Sequence, residues 1–244
     1  MRKNYIESHP IAFIMICLCL VLFPSIKDTF AMDKTSKTLL QHRVLKQEEV
    51  KKYSGHVVID AGHGGYDGGS VYQGHKEKDI TLAIALKLKT ILEEEGVQVT
   101  LTRNSDHVSW SDDNVEDLSA RSKIANDSQA DAFISLHTNS YYDTNINGSE
   151  IWVNYNSDQN VSLAKHIQKG LQDIGYTYDR GLKDQATSPL QLLVENKIPS
   201  ILLELGFITG NKDLQVLTST KGQEQVAQGI KQGVLNYLKS LHNF

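Results

Sequence analysis

Residues 56–65 read His-Val-Val-Ile-Asp-Ala-Gly-His-Gly-Gly, a short β-branched run followed directly by a glycine-rich turn. Glycine tolerates positive φ and allows close approach to the backbone, so this turn can present His63 freely at the end of a strand. A phosphate-binding loop fits poorly, because no helix follows the turn directly and no Lys-Ser/Thr pair closes it. A lone histidine in such a place also fits a simple turn, so its role depends on the rest of the chain.

Strand-like and helix-like segments alternate after this run. The pattern predicts strands at residues 56–60, 97–102, 132–136, 150–155 and 201–204, and helices at residues 80–95, 118–125, 161–174, 212–217 and 223–241. Asp79 is the expected N-cap of the first helix. Strands that alternate with long helices imply right-handed βαβ units. We therefore predict a single α/β domain, with a mostly parallel twisted sheet flanked by helices and an active site at the carboxyl edge of that sheet.

Length and composition restrict the class of protein. The 244 residues suffice for one sizeable domain, and the formal net charge of −4 argues against a nucleic-acid-binding protein, which needs a basic face. Cys17 and Cys19 both lie in an apolar run near the N-terminus, so a product cleaved after that run contains no cysteine. Any transition-metal site in such a product must be built from His, Asp and Glu.

The first 31 residues have the pattern of an export signal. Arg2 and Lys3 precede an apolar run at residues 11–23, and Ala31 offers a small residue for cleavage. That run is short for a membrane span, which needs about 20 residues, and an uncleaved signal anchor is the alternative. We expect residues 1–31 to be the signal peptide or anchor, residues 32–54 a polar tether, and residues 55–244 the catalytic domain.

Two histidines and a glutamate are candidates for metal ligands. His63 and His137 each follow a predicted strand, and the carboxyl ends of parallel strands meet at one edge of a sheet. Imidazoles and carboxylates are good zinc ligands. Glu77 lies among lysines just before a predicted helix, where a solvated surface charge is the simpler interpretation, and His75 and Asp79 are rival ligands close by.

Glu204 interrupts an otherwise apolar strand and its exit. Burial of an unpaired carboxylate costs several kcal/mol, so this group must be paired, hydrogen-bonded or protonated. A raised pKa in such surroundings suits a general base near neutral pH. The alternative is a buried ion pair with Arg103, Arg121 or Arg180.

Several short motifs occur in a characteristic order along the domain. They are Val-Ile-Asp-Ala-Gly-His-Gly-Gly (58–65), Glu-Lys-Asp (77–79), Leu-Thr-Arg (101–103), Leu-Ser-Ala-Arg (118–121), Ile-Ala-Asn (124–126), Ile-Ser-Leu-His-Thr-Asn (134–139) and Leu-Glu-Leu-Gly-Phe (203–207). In this order the chain resembles the zinc-dependent N-acetylmuramoyl-L-alanine amidases of bacterial cell walls over residues 55–241. Ala61 replaces a proline and Thr138 an alanine found in many relatives, and neither change affects the metal-binding positions.

The resemblance implies one zinc ion held by His63, Glu77 and His137, with Glu204 as the catalytic carboxylate. It implies hydrolysis of the amide that joins the lactyl group of N-acetylmuramic acid to the L-alanine of the peptidoglycan stem, and it assigns no substrate-binding residue. The alternatives are a zinc peptidase that cuts within the stem and a non-catalytic wall-binding protein of the same fold.

The same resemblance sets expectations for the setting of the protein. We expect an exported monomer that acts on peptidoglycan, either secreted, in the cell wall or at the outer face of the membrane. Membrane contact is expected only through the N-terminal segment, if that segment is not cleaved. The short loop between His137 and Glu150 leaves little room for a blocking helix, so we expect an open site.

Overall fold

The computed structural model describes residues 54–242, and a six-stranded sheet lies at the centre of this part of the chain. In chain order the strands are β1 (His56–Ala61), β2 (Val71–Tyr72), β3 (His75–Lys76), β4 (Gln98–Leu101), β5 (Ala132–Asn139), β6 (Ser149–Val153), β7 (Asp179–Asp184) and β8 (Ser200–Phe207). The main sheet has the order β4-β1-β5-β8-β6-β7, and β2 and β3 form a separate antiparallel pair. All neighbours in the main sheet are parallel except β6 and β8.

Helices cover both faces of the main sheet. They are α1 (Glu77–Glu93), α2 (Asn114–Ser128), α3 (Asp158–Ile174), α4 (Gln191–Glu195), α5 (Asn211–Thr218) and α6 (Thr220–His242). Because successive strand residues point to opposite faces, Val57 and Ile59 join the core beneath α1, α3 and α6. Val58 and Phe133 join a smaller core beneath α2 and α4. The predicted α/β fold with a mostly parallel sheet flanked by helices is confirmed.

The structure corrects the sequence-based prediction at the start of α1. The helix begins at Glu77, with Lys76 as its N-cap residue, so the expectation that Asp79 caps it is wrong. The chain enters α1 directly from β3, which places both Glu77 and Asp79 in the first turn. Negative side chains are favoured there by the positive end of the helix dipole. Glu77 is thereby held by a helix rather than by a loop.

The predicted signal segment and all but the last residue of the predicted tether at residues 32–54 lie outside the described residues. Within residues 54–242, no helix is both long enough and apolar enough to cross a membrane. The segment between β5 and β6 contains no helix, in agreement with the expectation that no blocking helix is inserted there.

Candidate metal centre

His63, Glu77 and His137 converge at the carboxyl edge of β1 and β5. The Oε1 atom of Glu77 lies 3.1 Å from Nε2 of His63 and 3.1 Å from Nδ1 of His137. The two imidazole nitrogens are 3.2 Å apart. Tetrahedral zinc with bonds of about 2.0–2.1 Å requires neighbouring ligand atoms about 3.3 Å apart. The three residues, which we call the trio, therefore fit a zinc ion in both donor type and spacing.

Glu77 is a buried member of the trio, not a solvated surface charge. Its side chain is 3% exposed and accepts hydrogen bonds from the backbone N–H groups of Thr138 (2.8 Å) and Ser70 (2.9 Å). Burial opposes ionisation, but hydrogen bonds and charge from His137 and His63 outweigh it and hold the pKa of Glu77 well below its usual range. A permanently charged carboxylate is what a cation site needs.

The turn that carries His63 is held by two buried arginines. The Arg121 guanidinium donates to the carbonyl of His63 (2.8 Å) and to the Asp60 carboxylate (2.8 Å). Arg103 donates to the carbonyls of Ala61 (2.8 Å) and Gly62 (3.0 Å). His63 itself has a φ of 61°, a conformation that non-glycine residues adopt only when their surroundings impose it. The arginines thus fix the position of the imidazole before any ion binds.

Asp67 orients the ring of His63 from the side opposite to Glu77. Its Oδ2 lies 2.5 Å from Nδ1 of His63, while its Oδ1 accepts the N–H of Gly69. This leaves Nε2 of His63 free to face Glu77 and His137, and it makes the imidazole a stronger metal ligand. Sequence reasoning missed Asp67. The available signal was a carboxylate four residues after His63 in the same glycine-rich turn.

Replacement of Asp67 by asparagine is expected to weaken zinc binding by about 10–100-fold, the usual effect of losing a carboxylate behind a metal-bound histidine. The measurement is zinc competition against a chromophoric chelator. Asp127→Asn is the control, because Asp127 is exposed on α2 and pairs only with Lys123 among the described contacts. Equal zinc affinity in the Asp67 variant and the wild type would show that Asp67 does not support the ligand.

Glu204 lies next to His137 on the neighbouring strand, since the two residues are paired in the register of β5 and β8. Its Oε2 atom is buried without a hydrogen-bond partner. Burial is the main cause that raises the pKa of Glu204, to about 7, and the nearby carboxylates of Glu77 and Glu150 add to it. Glu204 is therefore poised to exchange a proton near neutral pH.

The alternative of an arginine ion pair at Glu204 is wrong for the described residues. Arg121 pairs with Asp60 and Asp117, and Arg180 donates to Glu150 at 3.1 Å. Arg103 is occupied by backbone carbonyls, as described above. The three candidate arginines hold other groups, which leaves the Glu204 carboxylate unneutralised.

Asn139 follows His137 by two residues, and its side-chain amide bonds to a different group. Its amide donates to Glu150 at 3.0 Å, on the side of Glu150 that Arg180 leaves free. Glu150 faces Glu204 across the antiparallel pair of β6 and β8. Asn139 and Arg180 therefore stabilise the charge of a second buried carboxylate beside Glu204.

A cavity of about 210 Å³ opens directly on the two histidines. It is lined by His63, Asp67, Asn114, Asp117, Leu118, Arg121, His137 and Leu192. Its far wall comes from α2 and α4, so it lies on the face of the sheet covered by those helices. The cavity leaves His63 and His137 accessible from this face of the sheet, whereas Glu77 does not line it.

Comparison with known sequences identifies a family for most of the described chain. Residues 57–236 match the family described as N-acetylmuramoyl-L-alanine amidase. The germination-specific N-acetylmuramoyl-L-alanine amidase of Bacillus subtilis (strain 168) is 32% identical over 188 residues, which cover 74% of this chain and 78% of the relative. The protein YqiI of the same organism is 37% identical over 183 residues, covering 74% of this chain and 84% of YqiI.

Comparison with solved structures agrees with the sequence match. The CwlD amidase from Clostridioides difficile, solved in complex with the GerS lipoprotein, superposes with a TM-score of 0.71 at 33% identity. The match covers 76% of this chain and 99% of the CwlD chain. With the fold, the candidate metal-binding trio and the sequence match in agreement, this chain belongs to the N-acetylmuramoyl-L-alanine amidase family.

Proposed function

We propose that one zinc ion binds at His63, Glu77 and His137, and that Glu204 is the catalytic carboxylate for cleavage of the lactyl–L-alanine amide of peptidoglycan. The observation that carries the assignment of Glu204 is its buried, unpartnered Oε2 on the strand beside His137. A buried carboxylate oxygen without a hydrogen-bond partner is costly to folding. A role in proton transfer explains why a carboxylate occupies this costly position beside the proposed metal site.

The reaction replaces the amide C–N bond with a C–O bond from water. A bound zinc ion supplies Lewis-acid polarisation of the scissile carbonyl and acidifies water. Glu204 accepts a proton as the water oxygen attacks the carbonyl carbon, and it then delivers that proton to the departing nitrogen of L-alanine. The products are a free lactyl carboxylate on the sugar and a stem peptide with a free amino terminus.

The other residues of the site keep the reacting groups in place. Asp67 fixes the ring of His63, and the backbone of Thr138 and Ser70 fixes the carboxylate of Glu77. Glu150 lies close enough to raise the pKa of Glu204 further. These contacts hold a proton acceptor with a pKa near 7 beside a cation site, which is the arrangement that general acid–base hydrolysis at neutral pH requires.

We also propose that the protein works outside the cytoplasm as a monomer, with residues 1–31 as the export signal or anchor. The charged and apolar regions of that segment support export, and so does the substrate class of the family, which lies in the cell wall.

Digestion of purified peptidoglycan, followed by mass spectrometry, tests this function. We expect peptide-free glycan strands and intact stem peptides that begin with L-alanine. Addition of a chelator should stop the reaction, and excess zinc should restore it. Stem fragments cut between amino acids would establish a peptidase instead, and binding without any product would establish a non-catalytic wall-binding protein.

A further inference from the structure

A second recess is lined in part by Ser70, which contacts Glu77, and is separate from the cavity beneath α2 and α4. It encloses about 510 Å³ and is lined by Ser70, Val71, Ser140, Tyr141, Tyr142 and Thr209. We call these six residues the tyrosine ledge. The ledge touches the trio through Ser70, whose backbone N–H donates to Glu77. The ledge and the 210 Å³ cavity share no lining residue. The cavity is lined by His63 and His137, whereas the ledge meets the trio through the Ser70 contact with Glu77.

The tyrosine ledge exposes large side chains to solvent. Tyr142 is 85% exposed, Val71 is 60% exposed and Tyr141 is 46% exposed. The two tyrosine rings lie against each other, with centroids 4.2 Å apart and planes inclined by 35°. Contiguous exposed groups of this kind mark interaction surfaces, and tyrosine offers an apolar face together with a hydroxyl.

Backbone hydrogen bonds fix the ledge in place. Ile208 donates to the carbonyl of Asn139 at 2.8 Å, and Asn211 donates to the carbonyl of Thr144 at 3.0 Å. The N–H of Tyr141 donates to Oγ1 of Thr209 at 2.9 Å. The segment after β5 is thereby joined to the segment after β8. A surface ordered in advance binds a ligand at a lower entropic cost.

The chemistry of the ledge favours a neutral, hydroxyl-rich ligand. None of the six lining residues is charged, and five of them carry a hydroxyl group. A pyranose ring presents an apolar C–H face to an aromatic ring and hydroxyl groups at its edges. A stem peptide carries carboxylates and an amine, and the ledge offers no charged side chain to pair with them.

We propose that the tyrosine ledge binds the saccharide of the peptidoglycan strand, and that the stem peptide enters the cavity beneath α2 and α4. This inference rests on the proposed function, because the scissile amide must then lie between sugar and peptide at the metal centre. The cavity at the two histidines and the ledge next to Glu77 supply one place for each side of that bond. Tyr142, the most exposed of the ledge residues, provides the main stacking surface.

Binding of a peptide-free GlcNAc–MurNAc tetrasaccharide to the zinc-loaded protein tests the proposal by calorimetry or NMR titration. We expect Tyr142→Ala to weaken binding by up to about 10-fold, the value of one aromatic contact of about 0.5–1.5 kcal/mol. Tyr142→Phe should retain most of the affinity, because the ring remains. Tyr155→Ala is the matched control, since Tyr155 is 46% exposed and follows the end of β6 that is farther from Glu204.

The outcomes separate this proposal from the proposed function. Unchanged saccharide binding by Tyr142→Ala, or no saccharide binding by the wild type, overturns the proposal that the ledge binds saccharide, even if peptidoglycan is cleaved. Weaker binding of a free stem peptide by Tyr142→Ala, with saccharide binding unchanged, reverses the orientation and overturns it too. Saccharide binding that depends on Tyr142 in a protein that releases no stem peptide supports the ledge and refutes the proposed hydrolysis.

Discussion

Glu204→Gln is expected to lower the rate of stem-peptide release by about 10³-fold, within the range that general acid–base groups contribute, while zinc stays bound. Glutamine keeps the size of the side chain but cannot accept the proton of the attacking water. The three ligand residues are unchanged, so metal content should equal that of the wild type. Zinc is measured by atomic emission and activity by mass spectrometry of released peptides.

Glu224→Gln is the matched control, because Glu224 is exposed on α6, away from the carboxyl edge of the sheet. Retained activity in the Glu204 variant would remove this residue from the mechanism. Loss of both zinc and activity would instead make Glu204 part of the metal site.

The stability of the Glu204→Gln variant shows whether it is folded and whether the carboxylate of Glu204 is desolvated as described. The folded-state pKa of Glu204 is raised from its ordinary value of 4.5 to about 7, so the folded protein binds more protons than the unfolded chain between these pH values. Wild-type stability should therefore fall as the pH rises from 5 to 8, by about 2.5 kcal/mol from this group. Glutamine removes the effect. Urea unfolding of the zinc-free proteins should show a gain for the variant at pH 8 that is absent at pH 5.

Glu77→Gln is expected to weaken zinc binding by at least about 100-fold, more than the loss of an outer-shell partner costs, and to abolish activity at limiting zinc. The neutral amide removes the negative charge of the trio and is a poor zinc ligand. Its one carbonyl oxygen can accept only one of the N–H groups of Thr138 and Ser70, which bond to different oxygens of Glu77. Some loss of stability is therefore expected, and circular dichroism checks that the variant is folded. Chelator competition measures the affinity.

Asp79→Asn provides the control for Glu77, because Asp79 is the rival carboxylate two residues later and is exposed. Its zinc affinity should match that of the wild type. A loss of zinc in the Asp79 variant, with full binding in the Glu77 variant, would exchange the two assignments.

The central strands could be predicted because buried parallel strands appear as apolar runs. The segments at β1, β5 and β8 have this property, and each was assigned correctly to within a few residues. Strand β7 was missed because Asp179–Asp184 is a polar edge strand with no apolar alternation. The antiparallel direction of β6 depends on its non-local pairing with β8, which no local pattern reveals.

The site residues also differ in how far the local sequence reveals them. Glu204 stood out because a carboxylate interrupts an apolar run, and its raised pKa follows from that burial. Glu77 could be assigned only by family resemblance, since its neighbours Lys76 and Lys78 give it the local pattern of a surface charge. Its burial comes from Ser70 and Thr138, residues whose approach is determined by the tertiary fold.

The spacing of His137 and Glu204 is set by the sheet, so it can be maintained while the surrounding loops change. The two side chains start from adjacent strands, whose spacing of about 4.8 Å is fixed by backbone hydrogen bonds. Residues 104–113 and 140–148 lie outside the strands of that sheet. Mutations in residues 140–148 can therefore change the surface of the ledge, while the spacing of His137 and Glu204 stays set by the sheet.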